Sequence, residues 1–376
     1  MDYEIIRFIW WVLVGVLLIG FVIMDGHDMG VGVLSFIIGK TDLERRVVIN
    51  SVAPHWDGNQ VWFITAGGAI FAAWPLIYSA AFSGFYFAMM AVLWTLFLRP
   101  VAFEYRSKIQ KTKWKNSWDL VLLLASSVPP IIFGVAFGNL LQGVPFRFDA
   151  DIRAFYDGSF FALLNPFALL CGVLSLLMIV FHGANYLVIR TEGVLQLRAR
   201  KASIICGILT MILFVLGGLF MSNMNGFIAT NINPNGPSNP LLKTVAIVQG
   251  GWLHNYKLYP FTILAPVCGL LGAVIAIIYI YKLKGGLAFI FSSICMAGII
   301  MTVGGAMFPF LMPSSLDPKS SLTLWDATSS QHTLTIMFFV ALIFTPIVLL
   351  YTAWAYKIMG GKLTVEKIEE NTKNFY

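Results

Sequence analysis

The sequence is poor in charge. Asp, Glu, Lys and Arg make up 11% of its 376 residues, whereas soluble domains contain about 25%. Hydrophobic residues make up 58% of the chain, and several apolar stretches exceed the roughly 20 residues that cross a hydrocarbon core of about 30 Å. This composition excludes an ordinary soluble domain and predicts a protein embedded in a lipid bilayer.

Cysteine is also scarce. The four cysteines, Cys171, Cys206, Cys268 and Cys295, lie inside apolar runs and show no CxxC or Cys/His spacing. This absence excludes the usual motifs of zinc sites, covalent haem attachment and dithiol redox exchange. We expect these side chains to pack as small buried apolar groups.

Apolar runs separated by charged breaks predict about nine transmembrane helices. Backbone polar groups in lipid must bond internally and no run alternates like a barrel strand, so the fold class is all-α. The first run is too long for a cleavable signal and lacks a small-residue cleavage site, so we expect an anchor. Residues 1–376 are expected to form a single polytopic membrane domain. The predicted spans are 7–38, 53–74, 77–103, 118–143, 162–189, 202–224, 259–281, 286–312 and 333–356.

The basic residues predict the orientation of this bundle. Nine crossings place the termini on opposite sides, and the 25 Lys and Arg residues then divide 19 against 6. Because basic residues concentrate in cytoplasmic loops, we expect a periplasmic N-terminus and a cytoplasmic C-terminus. The six outer residues are Arg7, Arg147, Arg153, Lys243, Lys257 and Lys319. The inner residues are Lys40, Arg45, Arg46, Arg99, Arg106, Lys108, Lys111, Lys113, Lys115, Arg190, Arg198, Arg200, Lys201, Lys282, Lys284, Lys357, Lys362, Lys367 and Lys373.

The same asymmetry explains the net charge of +7 through membrane topology, so we expect no nucleic-acid partner. A wrong number of helices would move every later loop to the other side and destroy the division. The longer loops fall on the outer side, at 144–161, 225–258 and 313–332. Their Asn, Pro and Gly residues predict irregular periplasmic covers.

Four acids stand out because ionisable groups within a span usually face a protein interior or a wet cavity. Asp25 and Asp28 are three residues apart on the first helix and therefore share a face. Asp57 lies at the start of the second helix, in the polar segment Pro54–Trp62. Glu104 ends the third helix, with Lys108 one turn further on. The predicted orientation puts all four acids toward the cytoplasm.

Two interpretations of these acids stand. Carboxyl groups spaced between the cytoplasm and the middle of the membrane suit proton uptake, because a partly desolvated carboxyl group can bind and release protons. Alternatively, they cap helices, pair with basic residues or bond to a partner subunit, which fits Asp119 at a helix N-terminus better.

The five histidines give no recognisable ligand pair. They are His27, His55, His182, His254 and His332. A lone polar histidine is more often a hydrogen-bonded structural group than a ligand, so we expect no haem ligand, no metal site and no catalytic residue in this chain. The abundant aromatic residues fit interfacial belts and do not locate a quinone pocket.

Ten segments distributed over the whole chain resemble subunit II of the cytochrome bd ubiquinol oxidases, which are bacterial terminal oxidases of the respiratory chain. The segments are Arg7–Trp11, Asp25–Gly32, Glu44–Arg46, Pro54–Trp62, Leu96–Pro100, Gly134–Gly143, Asn165–Phe167, Met307–Phe310, Met312–Ser315 and Leu324–Gln331.

The resemblance implies a complex in the bacterial cytoplasmic (inner) membrane that oxidises ubiquinol and reduces dioxygen to water. It implies that subunit I, the partner, carries two b-type haems and one d-type haem, and that this chain supports it. A structural ubiquinone in this chain and a small accessory subunit are further features that the resemblance allows.

The resemblance also implies a role in proton entry for Lys108, Glu104 and Asp57, with Asp25 and Asp28 nearby. The chain departs from the common family pattern at Glu104, where Asp is frequent, and at His27, where Phe is frequent. The alternatives are a proton-coupled secondary transporter, for which no paired helix interruption is evident, and a scaffold without a proton role.

Overall fold

The structure, a computed structural model, describes residues 1–370, so Lys373 of the predicted inner set lies outside the described residues. Helices dominate the chain and confirm the predicted all-α membrane fold. They are α1 (Tyr3–Ile38), α2 (Asp42–Asn50), α3 (Trp56–Ala73), α4 (Pro75–Gly84), α5 (Tyr86–Tyr105), α6 (Thr112–Gln142), α7 (Pro166–Arg190), α8 (Gly193–Asn223), α9 (His254–Leu258), α10 (Leu264–Tyr281), α11 (Gly285–Met307), α12 (Gln331–Ile358) and α13 (Val365–Glu370).

Within residues 1–370, eight helices are long and apolar enough to cross a membrane, and a ninth span results when the bent pair α3 and α4 is counted as one. The axes of α3 and α4 differ by 118°. The bend falls at Trp74, where the following Pro75 disfavours helical backbone in the residue before it. A second break at Phe85 separates α4 from α5. The third predicted span therefore begins at Tyr86 and not near residue 77.

The connections between helices group into two ends of the bundle, as the predicted alternation requires. At one end, Arg198 donates hydrogen bonds to the carbonyl of Ile38 and to Glu44, and the Leu363 N–H donates to the carbonyl of Arg190 at 2.8 Å. Most of the basic residues belong to this end, which we call the basic end. Its assignment to the cytoplasm rests on charge and remains a prediction.

At the opposite end, which we call the outer end, Arg7 links the start of α1 to two distant loops. Its Nε donates to the Thr328 hydroxyl at 2.8 Å, its Nη1 to the Pro234 carbonyl at 2.6 Å and its Nη2 to the Ser238 hydroxyl at 3.0 Å. Arg7 is fully buried. Arg7 therefore ties the loops at 225–258 and 313–332 into one cover over the start of α1.

The expectation of irregular covers is wrong for parts of these loops, because three short antiparallel hairpins form there. The largest pairs Asn225–Thr230 with Thr244–Gln249, and its second strand is rich in the β-branched residues that favour extended backbone. The strands are β1 (Phe146–Phe148), β2 (Ala154–Tyr156), β3 (Asn225–Thr230), β4 (Thr244–Gln249), β5 (Phe310–Met312) and β6 (Leu322–Thr323). The last predicted residues of the span 286–312 thus belong to β5.

Small residues let α1 approach α7, the most enclosed of the spanning helices. Gly30 of α1 and Gly183 of α7 face each other closely. A Cβ atom on Gly30 would overlap the backbone carbonyl of Ile179 in α7, and a Cβ atom on Gly183 would overlap the backbone of Gly30. Such contacts between small residues are typical of helix packing in membranes. They bring the polar residues of α1 and α7 into the interior of the bundle.

Candidate functional site

Asp25 of α1 forms an ion pair with Arg99 of α5 in the interior of the protein. The Nη2 atom of Arg99 donates to Oδ1 of Asp25 at 2.5 Å, and the exposed fractions of the two side chains are 1% and 0%. Arg99 also lies over the ring of Trp56, with 5.4 Å from Cζ to the ring centre. Asp25 is therefore a paired, enclosed carboxylate.

Asp28, one turn further along α1, lies in a group of neutral polar side chains. Its Oδ2 atom accepts a hydrogen bond from Asn59 Nδ2 at 2.7 Å. Its Oδ1 atom is 3.2 Å from His27 Nε2 and 3.8 Å from His55 Nδ1. Asn59 also donates to the Tyr356 hydroxyl at 2.6 Å, so α1, α3 and α12 meet at this carboxyl group.

Aromatic rings enclose the same group. His55 stacks on Tyr356 with ring centres 4.3 Å apart, and its Nε2 lies 2.8 Å from the Tyr186 hydroxyl. The His27 ring lies 4.4 Å from the Tyr186 ring. We call His27, Asp28, His55, Asn59 and Tyr356 the inner polar cluster.

His182 of α7 adjoins this cluster but bonds elsewhere. Its Nδ1 lies 2.7 Å from the Ser292 hydroxyl of α11, and its Nε2 lies 3.2 Å from the Ile23 carbonyl. His182 therefore joins α7 to α11 and α1.

The other predicted residues, Asp57, Glu104 and Lys108, are exposed on the surface of the isolated chain. Asp57 interacts electrostatically with both Arg99 and Glu104. The structure thus separates the five predicted residues into a buried pair, Asp25 and Asp28, and an exposed set at the basic end. Arg99 lies between the two, because it pairs with Asp25 and its charge reaches Asp57.

Sequence reasoning missed the convergence of three histidines. The sequence shows no recognisable ligand pair among the histidines, but in the structure the rings of His27 and His55 are 5.9 Å apart and those of His27 and His182 are 6.1 Å apart. The signal available in the sequence was the polar content of α7, where His182, Asn185 and Tyr186 interrupt an apolar run.

The surroundings of these three histidines do not fit a haem. Each imidazole packs against an aromatic ring: His27 against Tyr186, His55 against Tyr356, and His182 against Phe289 at 4.2 Å. A haem ligand needs a ring nitrogen that points into a slot as wide as a porphyrin. Here the ring nitrogens point at protein groups.

A cavity of about 820 Å³ opens at the outer end. Its walls include Phe8 and Trp11 of α1, Tyr259, Phe308 and Trp325. A mainly apolar pocket of this size with a few polar groups is typical of small-molecule sites.

The bundle, the enclosed carboxyl groups and the exposed acids at the basic end define a multi-span helical membrane protein equipped to hold protonatable groups inside the bilayer. Comparison with known proteins gives the family. The family model described as cytochrome bd terminal oxidase subunit II matches residues 6–359, and the chain belongs to that family.

Individual relatives support the same family assignment. The chain is 53% identical, over 100% of both sequences, to cytochrome bd-I ubiquinol oxidase subunit 2 of Escherichia coli strain K12. It is 34% identical to cytochrome bd ubiquinol oxidase subunit 2 of Bacillus subtilis, over 95% of this chain and 96% of the relative.

The fold is also similar to a chain in the structure of bd oxidase from Geobacillus thermodenitrificans, with a TM-score of 0.68 and 16% identity. The match covers 93% of this chain and 96% of that one. The family model and the relatives confirm the family predicted from the sequence, and with it a subunit of a respiratory terminal oxidase in the bacterial inner membrane. The transporter alternative is not favoured.

Proposed function

We propose that this chain supports the haem-bearing subunit I of a ubiquinol:oxygen oxidoreductase and admits protons from the cytoplasm through Lys108, Glu104 and Asp57. The observation that carries the proposal is the placement of Asp57. It is exposed at the basic end, within electrostatic reach of Glu104 and Arg99, and two residues before Asn59, which bonds to Asp28. Asp25 and Asp28 form the enclosed part of the same polar region.

The chemistry of these side chains supports transfer by relay. Carboxyl groups bind and release protons, and Glu104, one helical turn before Lys108, is placed to offset the positive charge of the ammonium at the entrance. Arg99 pairs with Asp25 through a charge-assisted hydrogen bond. Asp57 is therefore the acid best placed to pass protons between the basic end and a partner.

The surface around Asp57 and Glu104 supports a docking site for subunit I. It includes the exposed apolar residues Ile64 of α3 and Leu93 and Phe97 of α5. Apolar area alone would equally suit lipid, but the acids on the same helices would be costly there. We therefore assign this face to the partner.

Within the proposal, the two b-type haems and the d-type haem reside on subunit I, because the buried histidines of this chain do not fit haem. The haems supply electron transfer and oxygen reduction, and this chain supplies proton-binding side chains. The outer cavity beside Phe8 and Trp11 is our candidate for the structural ubiquinone, since its aromatic walls suit an isoprenoid quinone.

The Asp57→Asn variant tests the relay in the assembled oxidase. Amide replaces carboxyl at nearly constant size, so the haem content should persist while quinol-dependent oxygen consumption falls roughly tenfold or more, because a positioned proton-transfer group contributes about 10²-fold or more. Asp157→Asn, which removes an exposed acid at the outer end, should leave oxygen consumption unchanged. Normal turnover of Asp57→Asn with intact haem would reject the relay and favour the interpretation of this chain as a scaffold.

The orientation has a separate test. In a Lys111→Cys variant, the new thiol should react with a membrane-impermeant maleimide only in inside-out vesicles, whereas the thiol of an Arg153→Cys variant should react only in right-side-out vesicles. The opposite labelling pattern would place the basic end in the periplasm and contradict proton entry from the cytoplasm.

A further inference from the structure

Hydrogen bonding fixes which nitrogen of His27 carries its proton. Nδ1 lies 3.0 Å from the Ile23 carbonyl, which can only accept a hydrogen bond. Nδ1 must therefore be the N–H group, and in the neutral ring Nε2 carries a lone pair. This bare nitrogen is 3.2 Å from Asp28 Oδ1 and 3.3 Å from the Tyr356 hydroxyl, which can donate a hydrogen bond to it.

The same argument applies to His55. The Tyr186 hydroxyl donates to the Ser51 carbonyl at 3.2 Å, so its oxygen is free to accept from His55 Nε2 at 2.8 Å. Nε2 is then the N–H group of His55, and Nδ1 carries a lone pair. This second bare nitrogen lies 3.8 Å from the same Asp28 oxygen.

Asn59 does not supply a hydrogen to Asp28 Oδ1 or to His55 Nδ1. Its Nδ2 has two hydrogens and lies 2.6 Å from the Tyr356 hydroxyl, 2.7 Å from Asp28 Oδ2 and 3.5 Å from His55 Nδ1. The two shorter bonds use both hydrogens. Asp28 Oδ1 has no hydrogen-bond partner among the described residues, although it is buried. Among the described residues, Asp28 Oδ1 and His55 Nδ1 thus receive no hydrogen, and His27 Nε2 is offered one by the Tyr356 hydroxyl at 3.3 Å. Three lone pairs that a cation can bind therefore converge in an enclosed space.

We propose that His27, Asp28 and His55 form a binding site for a divalent transition-metal ion, best matched by Zn²⁺. The three ligand atoms lie within 4.8 Å of one another. Imidazole and carboxylate are common Zn²⁺ ligands, and ligand bonds of about 2.0–2.1 Å place neighbouring donors about 3.3 Å apart in a tetrahedron. The His27–Asp28 separation of 3.2 Å already meets that spacing, and His55, whose Nδ1 is 3.8 Å from Asp28 Oδ1, must move closer to both.

The outer partners match those of known zinc sites. Metal-bound histidines usually donate their second N–H to a carbonyl, carboxylate or water, and bound carboxylates are themselves hydrogen-bonded. Here His27 donates to Ile23, His55 to Tyr186, and Asn59 donates to Asp28. A metal ion bound to His27 Nε2 would replace the hydrogen bond from the Tyr356 hydroxyl and leave that oxygen beside the ion.

Charge and access are also compatible with a cation. Asp25 is neutralised by Arg99, which leaves Asp28 as the uncompensated carboxylate of the region. His55, which retains 8% exposure, lies just before α3 at the basic end and offers a path from that side. The alternative occupant is a single proton shared by Asp28 and His27, and it is an outcome of the test below.

The test is metal retention by the purified oxidase complex. The complex is incubated with zinc chloride and desalted, and zinc is counted by mass spectrometry against haem absorbance, which also checks assembly. The wild type should retain about one Zn²⁺ more than His27→Phe, and zinc-edge X-ray absorption should show nitrogen neighbours typical of imidazole. Loss of a ligand should weaken binding by at least about tenfold. His182→Gln is the matched control, because His182 is equally buried but bonds to Ser292, and it should keep the metal.

Asp28→Asn, which preserves side-chain volume, provides a second variant if His27→Phe does not assemble, and it too should lose the metal. Equal zinc in the wild type and the assembled ligand variants, or no zinc above the blank in the wild type, would overturn the proposal in favour of the shared proton. The measurement does not depend on turnover, so its outcome is separate from that of the proton route.

Discussion

Arg99 and Asp25 are joined by a 2.5 Å hydrogen bond that connects α5 to α1 out of reach of solvent. Removal of one member of such a buried pair is costly because it leaves the other charge without compensation, typically by about 3–5 kcal/mol. We therefore expect Arg99→Leu to lower the thermal stability of the complex strongly, as measured by the loss of haem absorbance on heating.

The matched control for that prediction is Arg147→Ala. Arg147 pairs with Asp157 at the outer end, where the two side chains are 52% and 53% exposed, and exposed pairs contribute about 0–1 kcal/mol. The double variant Arg99→Leu with Asp25→Leu should recover part of the stability. If Arg99→Leu and Arg147→Ala melted alike, the interior ion pair would not stabilise the fold.

Gly30→Ala should destabilise the bundle although alanine is the better helix former. The added Cβ atom would overlap the carbonyl of Ile179, and forced overpacking costs about 1–3 kcal/mol. Gly15→Ala, in the same helix but with no atom within 4 Å of the added Cβ, should be neutral or stabilising by up to about 1 kcal/mol. Thermal melting of the two variants checks the difference, and an equal effect would contradict the close contact of α1 and α7.

The surroundings of the Glu44 carboxyl group should make the stability of the folded protein depend on pH. Burial raises the pKa of its carboxyl group, but hydrogen bonds from the Lys40 and Thr41 backbone and from Arg198 outweigh burial, so the pKa in the folded protein is lowered. A lowered pKa gives a stabilisation that is present above the ordinary value of about 4.3 and is lost as the pH falls through the folded value.

Glu44→Gln should therefore melt below the wild type at neutral pH, by an amount equivalent to about 1–2 kcal/mol. The gap between the two melting temperatures should narrow as the pH falls below the ordinary carboxyl pKa. Glu192→Gln, which disrupts an exposed pair with Lys362, should show little difference at either pH. If the difference in melting temperature between Glu44→Gln and the wild type stayed constant with pH, the charge of Glu44 would not stabilise the folded protein.

Lys243 should be a structural lysine of the outer cover. It is 4% exposed, and its Nζ donates to the Pro240 and Ser321 carbonyls and lies 2.8 Å from Asp326 Oδ2. Lys243→Met should lower the free energy of unfolding by about 3 kcal/mol or more, because Asp326 would keep a buried charge without a partner. The exposed Lys319 gives the control, since Lys319→Met removes a charge from the same cover without breaking this pair. Limited proteolysis of the outer loops would reveal the loosening.

The sequence was sufficient for features that depend on composition along the chain. Apolar length located the spans, and the acids Asp25 and Asp28 were recognised because charge within a span is costly. The break at Phe85 was not predicted, since residues 75–98 contain no charged residue and Gly84 is the single weak signal between α4 and α5. The bend at Trp74 had a local cause in Pro75, but its size depends on packing.

The inner polar cluster could not be predicted for a different reason. His27, His55 and Tyr356 come from three helices, and they meet only because Gly30 and Gly183 bring α1 close to α7 and because α12 packs beside α1. Sequence spacing gives neighbours within a helix, whereas the meeting of separate helices depends on tertiary packing. The exposure of Asp57 and Glu104 likewise depends on which side of α3 and α5 the other helices cover.

The bonds of Arg7 have a consequence for biosynthesis. Its partner Thr328 is made 321 residues later, so during synthesis the guanidinium lacks this partner until the last loop of the outer end has been made. The cover can lock only when nearly the whole polypeptide has been inserted. A prematurely terminated chain would display an unsatisfied arginine and loose loops, which quality-control proteases can recognise before the oxidase assembles.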